Sequence, residues 1–284
     1  MYEAQISRAN PSAFVLLVDQ SGSMSDAWAG ESGKTKAEAV ATYLNRLLQN
    51  LVLRCAKEEG IRDYYSVGVI GYGAAVESAL GGALAGQDLV PISQIGLSPL
   101  RVEDRTKKVD DGAGGILEQE IKLPIWVDAV AENGTPMTSA FNRARTILEP
   151  WVAQHAASFP PIVINISDGA PTDGDPSAAA NALTQLATSD GSLLLFNVNI
   201  SAGAGSPIEY PSTDELLPDE HAKLLFSISS VLPPFMRNAA AQEELHTAAD
   251  SRGFVFQADA VAVIRFLDIG TRPSNMVVAD APAT

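Results

Sequence analysis

The ten residues 15–24, VLLVDQSGSM, constrain the fold more than any other stretch of the chain. Four consecutive apolar residues end at Asp19, a pattern typical of a strand that is buried on both faces, as in parallel sheets. Functional side chains lie at the carboxyl ends of such strands. Asp19, Ser21 and Ser23 would offer one carboxylate and two hydroxyls there, which suit magnesium, calcium or manganese better than zinc or copper. The stretch therefore predicts a buried strand that leads into an oxygen-ligand cation site.

Two later segments offer the further oxygen donors that such a site needs. Residues 160–169, PPIVINISDG, repeat the pattern of an apolar strand, which here ends at Asp168. The loop 133–137, NGTPM, places Thr135 just before a segment with a helical pattern. Because the carboxyl ends of parallel strands share one edge of a sheet, we expect these donors to lie near Asp19.

The five positions, in this order, resemble the metal-ion-dependent adhesion site of the von Willebrand factor A (vWA) family. The D-x-S-x-S pattern is formed by Asp19, Ser21 and Ser23, and it is followed by Thr135 and by Asp168 in S-D-G. The resemblance covers residues 12–270. It implies an α/β fold: a doubly wound, mostly parallel, Rossmann-like sheet with helices on both faces.

The resemblance also implies how an ion would be held. Ser21 and Ser23 would bind it directly, Thr135 directly or through water, and Asp19 and Asp168 largely through water. The ion would be Mg²⁺, with Ca²⁺ or Mn²⁺ as alternatives, and the sixth position would be left for an Asp or Glu of a protein partner. We therefore expect a non-enzymatic, metal-dependent protein-interaction module.

Partners are suggested only by analogy with relatives. Some stand-alone bacterial vWA proteins occur with serine/threonine kinases and metal-dependent phosphatases, or with ATPase chaperones, so a cytosolic signalling or assembly complex is the expectation. Three residues are candidates for contact with the partner. Met24 and Trp28 follow the ligating serines, where large apolar side chains are typical interface anchors, although Trp28 could equally pack under the loop. Asp173 could add charge at the rim, or simply face water in a turn.

Composition excludes other classes of partner. The chain has 34 acidic and 19 basic residues, a formal net charge of −15, which disfavours nucleic acid and anionic membranes as partners.

The first residues lack the apolar core of a signal peptide, and no apolar run approaches the length of a membrane span, so we expect a soluble cytoplasmic protein. Cys55 is the only cysteine, which fits a reducing compartment, and the helical pattern places it on a buried face.

Periodicity predicts alternating strands and helices in a single domain, residues 1–273. A β-rich insertion is expected at about 74–130, with a partly alternating strand at 116–127, and the tail 274–284 is expected to be flexible. The predicted helices are 34–59, 137–155, 177–188, 237–251 and 259–270. The predicted strands, after the first, are 64–72, 162–167, 192–200 and 253–257.

Two rival functions have partial signals in the sequence, nucleotide binding and phosphate-ester hydrolysis. Residues 30–36, GESGKTK, contain the ending of a phosphate-binding P-loop, but Trp28 stands where that loop needs its first glycine. A metal-assisted phosphohydrolase would need a second aspartate two residues after the first, and Ser21 is there instead. The three histidines are far apart in sequence and none has a catalytic motif around it.

Overall fold

The computed structural model describes residues 2–28, 33–110, 116–200 and 205–271, with side chains described outside 107–119. The predicted tail, 274–284, lies outside the described residues. Within the described ranges, every helix is too short or too polar to cross a lipid bilayer.

The strands follow the predicted pattern, with several additional short pairs. In chain order they are β1 (Ser12–Asp19), β2 (Ala56–Lys57), β3 (Gly60–Ile61), β4 (Tyr65–Tyr72), β5 (Val76–Ser78), β6 (Val90–Pro91), β7 (Arg101–Asp110), β8 (Ile116–Ile125), β9 (Ile162–Ser167), β10 (Ala187–Thr188), β11 (Gly191–Ser192), β12 (Leu194–Asn199), β13 (Ile208–Glu209) and β14 (Phe254–Phe256). The helices are α1 (Lys36–Cys55), α2 (Ile92–Leu97), α3 (Met137–Gln154), α4 (Ser177–Thr184), α5 (Glu220–Ile228), α6 (Pro234–Gln242) and α7 (Ala260–Gly270).

The predicted α/β fold is confirmed. The main sheet has the order β13-β14-β12-β9-β1-β4-β5, with β6 also paired to β4. Strand β1 lies in the middle, parallel to both β4 and β9, and all eight of its residues are buried. One apolar cluster packs α1, α6 and α7 on one face, and a second packs α3, α4 and α5 on the other. The sheet is therefore doubly wound, and its central strand carries Asp19 to the edge.

The segment 74–130 is β-rich, as predicted, and its main feature is a two-stranded antiparallel ribbon formed by β7 and β8. The short helix α2 within it was not predicted. The end of the ribbon is fixed to α1 by Asn45, whose Oδ1 accepts hydrogen bonds from the backbone N–H groups of Trp126 (2.8 Å) and Val127 (3.1 Å). The Asn45 Nδ2 donates to the Val127 carbonyl at 2.8 Å. This buried amide therefore connects the insertion to the core.

Three predicted helix boundaries are wrong. Helix α1 ends at Cys55 rather than at residue 59, because the next residues form the tight β2–β3 pair with Gly60 at a φ of +116°. Helix α4 ends at residue 184 because the β10–β11 pair follows it. In place of the helix predicted at 237–251 the structure has the shorter α6, which ends at Gln242 and begins at Pro234, where the fixed φ of proline suits a first helical position. Helix α5 was not predicted.

A chain of buried polar side chains crosses the sheet on the face covered by α3 and α5. The hydroxyl of Tyr72 donates to Asn165 Oδ1 at 2.6 Å, and Asn165 Nδ2 donates to Asn197 Oδ1 at 2.9 Å. Asn197 Nδ2 then donates to the hydroxyl of Ser229, after the end of α5, at 2.9 Å. Each of these side chains is thus satisfied by a neighbour, as buried polar groups require.

Candidate metal centre

The two predicted carboxylates meet because their strands are neighbours. Val18 of β1 is paired with Ile166 of β9 in a parallel register, so both strands end at the same edge of the sheet. Asp19 is fully buried, and its Oδ2 accepts a hydrogen bond of 2.8 Å from the hydroxyl of Ser167. Asp168 follows directly, and its side chain has no exposed surface.

The two serines lie between these carboxylates. Ser21 donates its backbone N–H to Asp19 Oδ1 at 2.9 Å, an Asx-type turn that bends the chain out of the strand. A short 3₁₀ helix, Gly22–Ser25, then brings the hydroxyl of Ser23 to 3.1 Å from that of Ser21. The Ser23 hydroxyl donates to Asp168 Oδ1 at 2.8 Å. Four of the five predicted ligands are therefore joined in one hydrogen-bonded group.

Thr135 is brought to the same edge by contacts between loops. Gly22 donates its N–H to the Asn133 carbonyl at 2.8 Å. This bond holds the loop 133–137, here called the threonine loop, against the loop that contains Ser21 and Ser23, here called the serine loop. Thr135 N–H donates to the Thr172 hydroxyl, and Thr172 N–H donates back to the Thr135 carbonyl, both at 2.9 Å. Its side-chain oxygen lies 4.0 Å from where a Cβ on Gly169 would be, beside the residue that follows Asp168.

Asp173 holds the start of helix α3, a role that the sequence did not suggest. Its carboxylate accepts hydrogen bonds from the backbone N–H groups of Thr138 (3.0 Å) and Ser139 (2.8 Å), and from the Ser139 hydroxyl (2.8 Å). Partial burial alone would raise the pKa of Asp173, but the hydrogen bonds from Ser139 and Thr138 lower it below its usual value. The side chain is exposed, but its oxygens are hydrogen-bonded to the first turn of α3, which directly follows Thr135.

The interpretation of Met24 and Trp28 as anchors for a partner is wrong for this structure. Met24 is completely buried, and Trp28 is only 3% exposed. Trp28 packs edge-on against Tyr43 of α1, with ring centroids 5.9 Å apart. Met24 and Trp28 thus pack in the apolar cluster that includes α1, and they fix the serine loop to that helix.

Lys36 is the most important residue that sequence reasoning missed. Its Nζ lies 2.7 Å from Asp168 Oδ2 and 3.3 Å from the Ser23 carbonyl oxygen, and its side chain is only 5% exposed. A signal was present in the sequence, since Lys36 is four residues before Val40 and so shares the buried stripe of α1. A lysine on such a stripe needs a carboxylate partner.

The electrostatics of the site favour a cation. Burial raises the pKa of Asp19 above its usual value, hydrogen bonds from Ser21 and Ser167 oppose that effect, and the nearby charge of Asp168 raises the pKa further. Among the described residues, Asp168 is paired with Lys36, whereas Asp19 has no ion-pair partner. One buried carboxylate is therefore left without a compensating charge.

The donors at this edge suit a hard cation. They are two carboxylates and three hydroxyls, and oxygen donors of these kinds fit magnesium, calcium or manganese. In the described ranges, no three His, Cys, Asp or Glu side chains converge, so a site of the kind that zinc prefers is not found there. The choice of ion stays a prediction.

The remaining candidates are placed as follows. Thr35 is the N-cap of α1: its hydroxyl accepts from the Glu38 N–H at 3.2 Å, and Glu38 Oε2 accepts from the Thr35 N–H at 2.9 Å, which forms a capping box. Residues 30–32 of the P-loop-like segment lie outside the described residues. His221 lies in the first turn of α5 and is partly buried. Burial lowers its pKa, and the charges of Asp219 and Asp168 act against that shift.

Comparisons with known proteins identify no family by sequence. No family model matches the chain, and no curated protein does. Among solved structures, the chain is similar to the pilus adhesin SpaC from Lactobacillus rhamnosus GG, with 14% identity and a TM-score of 0.43 over 92% of this chain and 31% of that one. It is also similar to the ArnB paralog VWA2 from Sulfolobus acidocaldarius, with 14% identity and a TM-score of 0.37 over 67% of this chain and 35% of that one.

A third similar structure is the vWF domain of the type V pili tip protein Mfa5 from Porphyromonas gingivalis, with 14% identity and a TM-score of 0.31 over 57% of this chain. The chain spans 31% to 39% of the length of these three structures. Likeness at these TM-scores is too weak to assign a fold, and the α/β fold follows from the strand order and the helix layers of this chain.

Proposed function

We propose that the chain is a vWA-type, non-enzymatic protein-interaction module that binds an acidic residue of a protein partner through a divalent cation. One observation carries the proposal: Asp19, a fully buried carboxylate that has no ion-pair partner in the part of the chain that the structure describes, lies at the sheet edge among four other oxygen donors. A buried charge of this kind is costly unless a counter-charge is supplied. A bound cation would supply it.

The residues that would hold the ion are Asp19, Ser21, Ser23, Thr135 and Asp168. Of these, the Ser23 residue is exposed, so the site faces solvent on the side of the serine loop. Magnesium has a preference for oxygen ligands and retains open positions for an anionic group, which is the chemistry it would contribute here. Hydrogen bonds join Asp19, Ser21, Ser23 and Asp168, and backbone hydrogen bonds hold the loop of Thr135 beside them.

The competing proposal is a metal-assisted phosphohydrolase. Its support is that His221 lies within electrostatic reach of Asp168 and has no hydrogen-bond partner at either ring nitrogen among the described residues. Against it, the position that a proton-transferring carboxylate would take is occupied by Ser21. A hydrolysis screen with magnesium and with EDTA separates the two functions, because turnover that disappears in His221→Gln would favour the enzyme.

The decisive experiment for the interaction module is partner capture from the native cell by wild type and by Thr135→Val. The substitution keeps the shape of the side chain and removes one oxygen. It should weaken metal-dependent capture by about 1–3 kcal/mol, the usual cost of an unsatisfied polar site. Each protein is tested in magnesium and in EDTA, with circular dichroism to check folding.

The matched control is Thr146→Val, a surface threonine of α3 whose hydroxyl donates to the carbonyl of Asn142 in its own helix. Capture by this variant should equal that of wild type. If the amount of captured partner is the same with and without EDTA and is the same for wild type and Thr135→Val, the interface lies elsewhere on the protein. A cytoplasmic location and partners of the kinase, phosphatase or ATPase classes stay expectations from the sequence, and the identity of the captured protein would test them.

A further inference from the structure

The candidate metal centre already contains a cation, the ammonium group of Lys36. It lies 2.7 Å from Asp168 Oδ2 and 3.3 Å from the carbonyl oxygen of Ser23, so it contacts two of the residues that would surround the ion. Its third contact, to Asp26 Oδ2 at 3.4 Å, is with a carboxylate whose side chain is 61% exposed. The buried partner is Asp168, which makes this the stronger pair.

Lys36 cannot easily leave this position. It is the first residue of α1, next to the capping box of Thr35 and Glu38, and its backbone N–H donates to the Asp26 carbonyl at 3.0 Å. Its side chain is 5% exposed, so an alternative position in water would require the loop above it to open. The ammonium therefore remains in the site when a second cation enters.

The charges of the buried groups then determine what the site can bind. Asp19 and Asp168 together with Lys36 carry one net negative charge. A divalent cation would convert this to one net positive charge in a poorly solvated site, and two neighbouring cations repel each other. An anionic ligand in the open coordination position would remove the excess positive charge, whereas a neutral ligand would not.

We propose that Lys36 is a specificity-determining residue, which keeps the divalent ion weakly bound on its own and makes its binding depend on a carboxylate from the partner. The inference rests on the proposed function, because it concerns the same site. It gives a reason for the presence of a buried lysine beside a carboxylate that would serve a metal. Without that lysine, the two aspartates alone would neutralise the ion, and the partner's charge would matter less.

The test is calorimetric titration with Mg²⁺ of wild type and Lys36→Met, in sodium acetate and in sodium chloride at equal ionic strength. Acetate serves as the probe for a carboxylate, and blank titrations correct for its weak association with free magnesium. In chloride, Lys36→Met should bind Mg²⁺ about tenfold more tightly than wild type, because one repelling charge is gone. In acetate, the affinity of wild type should rise severalfold, and that of the variant should change little.

Two controls separate charge from packing. Lys36→Arg keeps the positive charge and should retain the dependence on acetate. Lys223→Met removes a lysine from the surface of α5, where its partner is the exposed Glu220, and should behave as wild type. A merely structural role of Lys36 would change stability without changing the ratio of affinities in acetate and chloride.

Three outcomes would overturn the inference: equal or weaker Mg²⁺ binding by Lys36→Met, an unchanged acetate effect in that variant, or failure of the variant to fold even in excess Mg²⁺. The last outcome counts because the ion should take over the charge of the lysine at Asp168. If wild type and Lys36→Met both fail to bind Mg²⁺, the proposed function fails as well. If both bind it equally, only the inference about Lys36 fails.

Discussion

The carboxylate of Asp173 accepts a hydrogen bond of 2.8 Å from the backbone N–H of Ser139, although 34 residues separate the two in sequence. Asp173 lies in the loop that follows Asp168, and Ser139 lies in the first turn of α3, just after Thr135. The loop that follows Asp168 therefore caps α3, the helix that begins just after Thr135. Free N–H groups at a helix start are satisfied here from outside the helix.

Asp173→Ala should reduce stability and weaken the candidate metal centre together. Loss of a helix cap costs about 1 kcal/mol, and the freed first turn of α3 should let Thr135 shift. We expect a lower melting temperature and weaker Mg²⁺ binding by calorimetry. The matched control is Asp175→Ala, because the hydrogen bonds that Asp175 accepts come from the nearby Ser177, at the start of α4. Equal loss of magnesium affinity in both variants would contradict the coupling.

The contribution of Asp173 to stability should depend on pH in a defined direction. Because the hydrogen bonds of Ser139 and Thr138 lower the pKa of Asp173 in the folded protein, the stabilisation is present above the unfolded pKa, about 3.9, and is lost as the pH falls through the lower folded value. The difference in unfolding free energy between wild type and Asp173→Ala should be full at pH 7 and should shrink below pH 4. Urea unfolding across this range measures it. A difference that grows on acidification would refute the assignment.

Magnesium should raise the melting temperature of wild type relative to EDTA. At ten times its dissociation constant, an ion that binds only the folded state stabilises by about 1.4 kcal/mol. Asp19→Asn removes the buried negative charge that the ion would neutralise, so it should abolish most of the difference in melting temperature between magnesium and EDTA. Asp250→Asn, an exposed aspartate outside the site, should retain it. Identical melting of wild type in magnesium and in EDTA would show that Asp19 and Asp168 do not share an ion.

The sequence predicted the parts of the site that depend on strand ends. Asp19 and Asp168 each follow an apolar run, and parallel strands bring such ends together, so their proximity follows from the fold class. Lys36 was not predicted: its place on the buried stripe of α1 indicates that it needs a carboxylate, but its partner Asp168 is 132 residues away, and spacing along the helix does not identify it. Met24 and Trp28 were misjudged for a related reason: whether a loop side chain is buried depends on which helix passes beneath it.

Cys55 should be unreactive in the folded protein. Burial is the main cause that raises the pKa of its thiol, to about 12, so at pH 8 almost no thiolate is present. A thiol reagent such as a maleimide should modify the native protein very slowly and the urea-unfolded protein at once. Since this is the only cysteine, mass spectrometry reads the result directly. Rapid modification under native conditions would mean that the end of α1 opens.

Asn45→Ala should loosen the insertion from the core. The substitution leaves the buried N–H groups of Trp126 and Val127 without their acceptor, at a cost of about 1–3 kcal/mol. Hydrogen exchange should increase in β8 while the central strands keep their protection. Asn50→Ala, an exposed position on the same helix, is the control for helix propensity. Unchanged exchange in β8 would show that other contacts hold the ribbon.

The buried amides of Asn165 and Asn197 have a consequence for the alignment of the sheet. Strands β9 and β12 are mostly apolar, and a shift of one strand by two residues would keep the same faces inside. Such a shift would separate Asn165 from Asn197, which are direct partners in the observed pairing, and would leave Asn165 Nδ2 and Asn197 Oδ1 without the hydrogen bond that they share. At about 1–3 kcal/mol for each unsatisfied group, the misaligned sheet becomes a poor competitor. The asparagine pair thus selects one alignment of β9 with β12 among those that hydrophobicity alone would allow. The hydrogen bond from Tyr72 of β4 to Asn165 of β9 reaches across β1, so the same amide also ties β9, the strand that precedes Asp168, to β4 on the other side of the strand that ends at Asp19.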